Sequence, residues 1–233
     1  MPIIIPSILV YSQEEYLKQT KAVQGLVNFV QIDIANNTFV PNQTWYDPRF
    51  IEENITFDFE LHMMIEEPME ELPVWMSNKH LKRVVMHFET LGNNTKQAIE
   101  AVRKSGRQIS ICINPETPIR VLEPFEDQID AVQFMTITPG FQGQPFLPEV
   151  LDKIKEYKNK NTDHFISADG HVNEETIPLL IKAGVEGLCI GSAIFNEQSS
   201  PKDNILKIQE LIDAYSFITY VKKPKDECES EAG

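Results

Sequence analysis

The chain has 233 residues, of which 42% are hydrophobic and 24% charged, enough apolar material for one large domain with a sizeable core. Asp and Glu number 35 against 21 Lys and Arg, a formal net charge of −14. That balance argues against a nucleic-acid backbone or an anionic membrane surface as partner, but not against a phosphorylated metabolite held locally by backbone amides.

Short, apolar, β-branched runs recur along the chain, with helical signals between them. The first run, Ile3–Leu9, has no basic region before it and no small-residue cleavage site after it. It reads as a buried strand rather than a signal peptide. Ser12 and Glu15 then form a capping-box pattern ahead of Tyr16, Leu17 and Val23. The second run is Phe29–Ile34, and Asp47-Pro48 after it is a cap-then-proline helix start. Runs three and four are Phe57–Met63 and Arg83–Phe88. Asn94 opens a segment with Ile99 and Val102 on one face and Gly106 as its C-cap. The fifth run, Gln108–Ile113, is followed by a second cap-then-proline start at Thr117-Pro118. The sixth, Ala131–Thr136, leads to Pro148 ahead of Val150, Leu151, Ile154 and Tyr157. The seventh, His164–Asp169, leads to a helical segment between Asn173 and Gly184. After the eighth, Gly187–Gly191, a last helix opens at Pro201 and carries Ile205, Leu206, Ile208, Leu211 and Ile212.

Near-continuous apolar strands alternating with helices predict βα units and a parallel sheet. Eight units in this length predict an α/β fold closed as a single (β/α)8 TIM barrel over residues 1–220. A doubly wound open sheet is the alternative, and no GxGxxG follows a strand to support it. The polar stretch over 221–233 (VKKPKDECESEAG) is expected to be a short disordered tail. Cys112 and Cys189 sit in apolar runs and Cys228 in the tail. This odd, unpaired set fits a reducing compartment, and with no run of membrane-spanning length a cytoplasmic location is expected.

In such a barrel the active site forms at the C-terminal strand ends. The polar residues there are Ser7, Gln31 and Asp33, His62, His87 and Glu89, Asn114, and Asp169. Gln31 and Asp33 are two apart and share a face, as do Glu60 and His62. A lone strand-end Asp usually caps the next helix, and a lone buried His is usually a satisfied core residue. Asp33, His62 and Asp169 together, on three strand ends, favour a functional cluster. Glu60 reads as a barrel-interior hydrogen-bonding residue, and His87 and Glu89 lean towards a structural role. Glycine turns follow at Thr138–Phe146 (TPGFQGQPF), at Asp169-Gly170-His171 and at Gly191–Phe195 (GSAIF). Each alone is an ordinary turn. Beside that cluster they predict an anion site of backbone N–H groups from Gly143, Gly170, Gly191 and Ser192.

The segments IIIPSIL, QIDIANNTFVPN, ELHMMIEEP, INPETP, FMTITPGFQGQPFLPEVLDKI, SADGHV and GSAIF resemble those of ribulose-phosphate 3-epimerases, in order and spacing, from about Ile3 to about Phe195. Thr138–Pro148 and Phe39–Asn42 carry the resemblance most distinctly. It implies a TIM barrel with one divalent metal ion (Zn, Fe, Mn, Co or Mg) at the strand ends and a sugar-phosphate substrate. The family interconverts ketopentose phosphates such as ribulose 5-phosphate and xylulose 5-phosphate. Its metal ligands map onto Gln31, Asp33, His62 and Asp169, and its two proton-moving aspartates onto Asp33 and Asp169. Its substrate contacts map onto Ser7, His62, Gly140, Phe141, Gln142, Gly143, Gly170, His171, Gly191 and Ser192. Three departures stand out. Gln31 replaces a histidine ligand, ANNTF at Ala35–Phe39 stands where the family reads MDGHF, and DGH at Asp169–His171 replaces DGG.

Epimerisation beside a ketone removes a proton and returns it from the opposite face, through an enediolate. Two acid/base groups must flank the carbon. A metal binding both oxygens would stabilise the enediolate as a Lewis acid. A glutamine amide oxygen is a neutral, hard donor that suits Mg²⁺ or Mn²⁺ better than Zn²⁺. Gln31 could instead hydrogen-bond Asp33 or a metal-bound water. Weaker metal binding than in the family follows either way. The expected activity is metal-dependent 3-epimerisation of a ketose phosphate. The alternatives are the same barrel acting on another sugar phosphate, such as allulose 6-phosphate, or a catalytically silent relative that binds one. Substrate identity, metal identity and a homo-oligomeric assembly stay open at this stage.

Overall fold

The computed structural model describes residues 1–139, 143–160 and 163–221. Its eight strands are β1 (Ile3–Ile8), β2 (Phe29–Ala35), β3 (Asp58–Met64), β4 (Leu81–His87), β5 (Gln108–Ile113), β6 (Ala131–Met135), β7 (Phe165–Asp169) and β8 (Gly187–Ile190). Each pairs in parallel with the next, and β8 pairs with β1, so the sheet closes as a barrel in chain order. The open-sheet alternative is thereby excluded.

Side chains alternate across each strand. One set, including Val30, Ile32, Ile34, Phe59, Leu61, Val84, Met86, Ile111, Val132, Phe134, Ile166 and Leu188, belongs to the main apolar cluster. Tyr16, Trp75 and Tyr157 from the surrounding helices are fully buried in the same cluster. The other set points inward and is largely polar: Gln31, Asp33, Glu60, His62, Arg83, His87, Ser110, Gln133 and Ser167, all buried. Glu60 and Arg83 are register partners, with Arg83 Nε 3.4 Å from Glu60 Oε2. The guanidinium lies over the Phe165 ring at 4.6 Å. Glu60 is therefore interior, as expected; its Oε1 accepts from the Cys189 thiol at 3.7 Å, while Oε2 has no hydrogen-bond partner among the described residues.

The helices are α1 (Gln13–Val23), α2 (Pro48–Asn54), α3 (Pro68–Trp75), α4 (Phe88–Leu91), α5 (Thr95–Lys104), α6 (Val150–Asn159), α7 (Ile177–Ala183) and α8 (Pro201–Val221). Their starts follow local chemistry. Ser12 Oγ accepts from the Glu15 N–H at 3.1 Å, while Glu15 Oε2 reaches the Tyr11 N–H at 2.7 Å, one residue upstream of the usual capping box. Asp47 Oδ1 accepts from Arg49 and Phe50 N–H groups, each at 3.0 Å. Gly184, at φ +103°, ends α7.

Two elements depart from the sequence reading. Thr117-Pro118 opens a 3-10 helix, Ile119–Gln128, rather than an α-helix. Pro124 inside it removes a backbone donor, its N-cap position is Pro118, and no side chain caps its start. α3 carries no Ser, Thr, Asp or Asn cap and contains Pro73, which hides it from sequence rules. No described helix is long and apolar enough to cross a membrane. Of the expected tail, Val221 ends α8 and residues 222–233 lie outside the described residues, as does Cys228.

Candidate active site

Strand register assembles the site. Ser7 sits beside Gln31 across β1 and β2, Asp33 beside His62 across β2 and β3, and His87 beside Cys112 across β4 and β5. Asp169 ends β7 beside Met135 and Cys189. One ligand-type atom each from Asp33, His62 and Asp169 lies within 4.8 Å of the others. The predicted cluster is therefore real, although β2 and β7 are far apart in sequence.

His62 Nδ1 is 2.9 Å from Asp33 Oδ1 and 3.3 Å from Asp169 Oδ2. The Ser7 hydroxyl donates to Asp33 Oδ2. Burial, reinforced by the Asp169 charge, pushes the Asp33 carboxyl above the usual range. Burial works against a charged His62, yet hydrogen bonds to Asp169 and Asp33 outweigh it and hold the imidazole well above its ordinary value. Burial thus acts in opposite senses on the imidazole and on Asp33, while the Asp169 carboxylate raises both.

Gln31 enters the cluster through its nitrogen. Nε2 donates to Asp169 Oδ2 at 2.6 Å and Asp33 Oδ1 at 2.8 Å, and lies 3.4 Å from His62 Nδ1. Gln31 Oε1 is buried with no hydrogen-bond partner among the described residues. Half a turn of the carboxamide would exchange the two atoms and bring this orphaned acceptor to the cluster. Two carboxylates, an imidazole and a reversible amide make a mixed O/N donor set that fits a divalent cation.

Behind His62 lie His87 and Glu89, which the sequence reading leaves leaning towards a structural role. His62 Nε2 is 2.9 Å from His87 Nε2, and His87 Nδ1 is 3.5 Å from Glu89 Oε2. Phe39 packs on the His87 ring, with centroids 4.8 Å apart. Although burial opposes it, His87, Thr117 and the Asn114 N–H hold the Glu89 carboxyl below its usual range. Burial alone would raise the Cys112 thiol, and the His87 and His62 imidazoles more than reverse this.

Above the cluster a cavity of about 520 Å³, open mouth included, is lined by Ser7, Asp33, Asp169, Gly143, Gly170, His171, Gly191 and Ser192. The side chains of Gln31 and His62 are fully buried beneath its floor, whereas Asp169 is 15% exposed. Gly140, Phe141 and Gln142 lie outside the described residues. Leu9, Met64, Met135 and Ile137 supply apolar walls that sequence reasoning missed. Met64 was within reach of it, since it is two residues beyond His62 and shares its face. In the Ala35–Phe39 segment, Asn36 and Asn37 are exposed, and Asn37 adopts φ +61°. His171, at φ +51°, lies with Nδ1 2.8 Å from the Gln144 carbonyl, joining the turn after β7 to the loop after β6.

Gly170 is required by space as well as by φ. At φ +115°, a Cβ there would lie 2.4 Å from Ile137 Cγ1 and 3.0 Å from the Ile137 nitrogen. Gly170→Ala is therefore expected to cost about 2–4 kcal/mol, combining left-handed strain and overpacking. A thermal melt checks this, and an unchanged Tm would show that the turn relaxes freely.

Comparison with known proteins identifies the family. Residues 3–195 match the model of the ribulose-phosphate 3 epimerase family. The chain is 34% identical over 208 residues to the ribulose-phosphate 3-epimerase of Bacillus subtilis (strain 168), covering 85% of this chain and 94% of the relative. It is 27% identical over 209 residues to the Escherichia coli (strain K12) ribulose-phosphate 3-epimerase, covering 86% and 92%. Among solved structures, 3-hexulose-6-phosphate synthase from Salmonella typhimurium superposes with a TM-score of 0.67 over 91% of this chain and 99% of the other. At 14% identity that likeness bears on the barrel alone. With a matching family model across nearly all of the barrel and relatives of this similarity, the chain belongs to the ribulose-phosphate 3-epimerase family, and is an isomerase acting on carbohydrates.

Proposed function

We propose that the protein interconverts ribulose 5-phosphate and xylulose 5-phosphate by moving the C3 proton between Asp33 and Asp169. The observation that carries this reading is the convergence of those carboxylates, from β2 and β7, on the wall of one cavity, with His62 buried between them.

One aspartate, as carboxylate, takes the proton from C3, and the electron pair passes to the C2 carbonyl to give an enediolate. The other, as carboxylic acid, returns a proton to the opposite face of C3. The raised Asp33 carboxyl suits the acid of this pair, and Asp169, 15% exposed, faces the cavity. Ser7 orients Asp33 through Oδ2, and Gln133 Nε2, 3.3 Å from Asp169 Oδ2, orients Asp169. Backbone N–H groups of Gly143, Gly170, Gly191 and Ser192 take the phosphate at the rim, and His171 closes that corner. The apolar walls of Leu9, Met64 and Met135 keep water from the enediolate.

Asp33, His62, Asp169 and, after its amide turns, Gln31 would hold a divalent ion. That ion supplies Lewis-acid stabilisation of the enediolate oxygens.

The test is conversion of ribulose 5-phosphate by protein loaded in turn with Mn²⁺, Co²⁺ and Zn²⁺, with allulose 6-phosphate in parallel. Turnover of the pentose phosphate is expected. Turnover of the hexose phosphate alone would assign the cavity, with His171 at its rim, to the longer substrate. Absence of both would leave a silent sugar-phosphate binder.

A further inference from the structure

We propose that His171 is a positioning residue for the phosphate end of the substrate: its side chain sets where Gly143 stands on the cavity wall. This rests on the phosphate-binding role given above to Gly143, Gly170, Gly191 and Ser192.

The loops after β6 and β7 are tied together at their base. The Thr136 N–H and hydroxyl donate to the Asp169 carbonyl at 2.8 and 3.1 Å, and the hydroxyl also donates to the Gly170 carbonyl. The Leu147 N–H closes the loop after β6 back onto the Thr136 carbonyl at 2.9 Å. Between these anchors the chain makes an excursion. Among the described residues of 138–146, the one hydrogen bond is that between His171 Nδ1 and the Gln144 carbonyl, at 2.8 Å. A carbonyl only accepts, so Nδ1 donates, whether the ring is neutral or charged. Gln144 directly follows Gly143, which lines the cavity with Gly170, Gly191 and Ser192. Through this bond the turn after β7 fixes Gly143 relative to the other three.

His171 holds its place against a backbone preference. Its φ of +51° lies in the left-handed region, which side chains other than glycine's seldom adopt. The Thr176 hydroxyl donates to the His171 carbonyl at 2.8 Å and secures that conformation. The side chain stands in a partition. It lines the active-site cavity on one side and, on the other, a polar groove that includes Asn173, Asn196 and Asn204. Left-handed strain at such a wall, over-determined by its neighbours, is the kind of feature that persists at ligand clamps. Without the imidazole bond the excursion would sample more positions, and ordering it around an anion would weaken binding.

Backbone ¹H–¹⁵N spectra of the metal-free protein, titrated with inorganic phosphate, read the corner directly. Ribulose 5-phosphate kinetics of the Mn²⁺-loaded protein read its consequence. The wild type is expected to show saturable shifts of the Gly143, Gly170, Gly191 and Ser192 amides. In His171→Gly the left-handed strain is relieved and the donor is gone. Phosphate should bind about 5–10-fold more weakly, the loss of one hydrogen bond. KM should rise by a similar factor with kcat unchanged, because the phosphate is held alike in ground and transition states. Tm should stay within about 3 °C of the wild type. In His171→Asn the amide nitrogen, like Nδ1, is bonded to Cγ, and asparagine tolerates positive φ. This variant should bring phosphate binding and KM back to within about twofold of the wild type. Undiminished phosphate binding in His171→Gly would overturn this proposal alone. So would failure of His171→Asn to restore binding, or a loss confined to kcat. A wild type without shifts at those four amides would overturn the phosphate corner itself, and this proposal with it.

Discussion

Asp169→Asn is expected to lower the epimerisation rate by about 10³-fold or more, with little change in folding. Asparagine has the shape of aspartate, and its oxygen can still accept from Gln31 Nε2, now 2.6 Å away. It cannot take or return a proton near neutral pH. General acid–base groups contribute about 10²–10⁴-fold, and loss of one of two obligatory groups falls at the upper end. Asp33→Asn should lose as much, and it keeps an acceptor for the Ser7 hydroxyl. The pair also makes a sharper forecast. Each variant retains one base, so each should still exchange the C3 hydrogen of one epimer with solvent while failing to convert it. The two variants should exchange opposite epimers. Exchange rates of both pentose phosphates in deuterated water, with a thermal melt as folding control, check this. Exchange of the same epimer by both variants would place the two carboxylates on one face.

Gln31→His is expected to raise divalent-metal affinity by about 10–100-fold. The Gln31 nitrogen lies between the carboxylates and cannot ligate a cation. To present its oxygen the amide must give up two hydrogen bonds to charged groups, each about 1.5–3 kcal/mol. It must also move its NH₂ to where Oε1 now lies, without a partner among the described residues. Imidazole avoids that cost and is a stronger donor towards Zn²⁺, Fe²⁺ or Co²⁺. A tenfold gain corresponds to about 1.4 kcal/mol, less than one of the hydrogen bonds surrendered. Metal content after purification and ribulose 5-phosphate turnover should be measured together. A rise in both shows that occupancy limits the wild type. A rise in metal alone shows that the site serves another substrate. No rise would mean that residue 31 does not stand at a ligand position.

The barrel was legible because its strands are buried on both faces and so read as apolar runs, each followed by a turn. Asp33, His62 and Asp169 were legible because they are the polar exceptions at three strand ends. The path of Gln31 was not. Its identity was plain, but which end of the amide enters the cluster depends on Asp169, 138 residues away. The sequence leaves His87 and Glu89 open, leaning towards a structural role, and neither borders the cavity. Their link to the site runs through one buried N···N contact that no spacing rule encodes. The helix start after β5 was legible at Thr117-Pro118, but its 3-10 character was not: the Thr117 side chain is held by Glu89, from the segment after β4, and no side chain caps the helix. Tertiary partners, rather than local propensity, decided each of these.

The central claim, proton transfer at C3 between two carboxylates, is tested most directly by incubating the metal-loaded wild-type protein with ribulose 5-phosphate in deuterated water. The xylulose 5-phosphate formed should carry deuterium at C3 and at no other carbon. Product without deuterium at C3, or with deuterium at C1, would contradict the account.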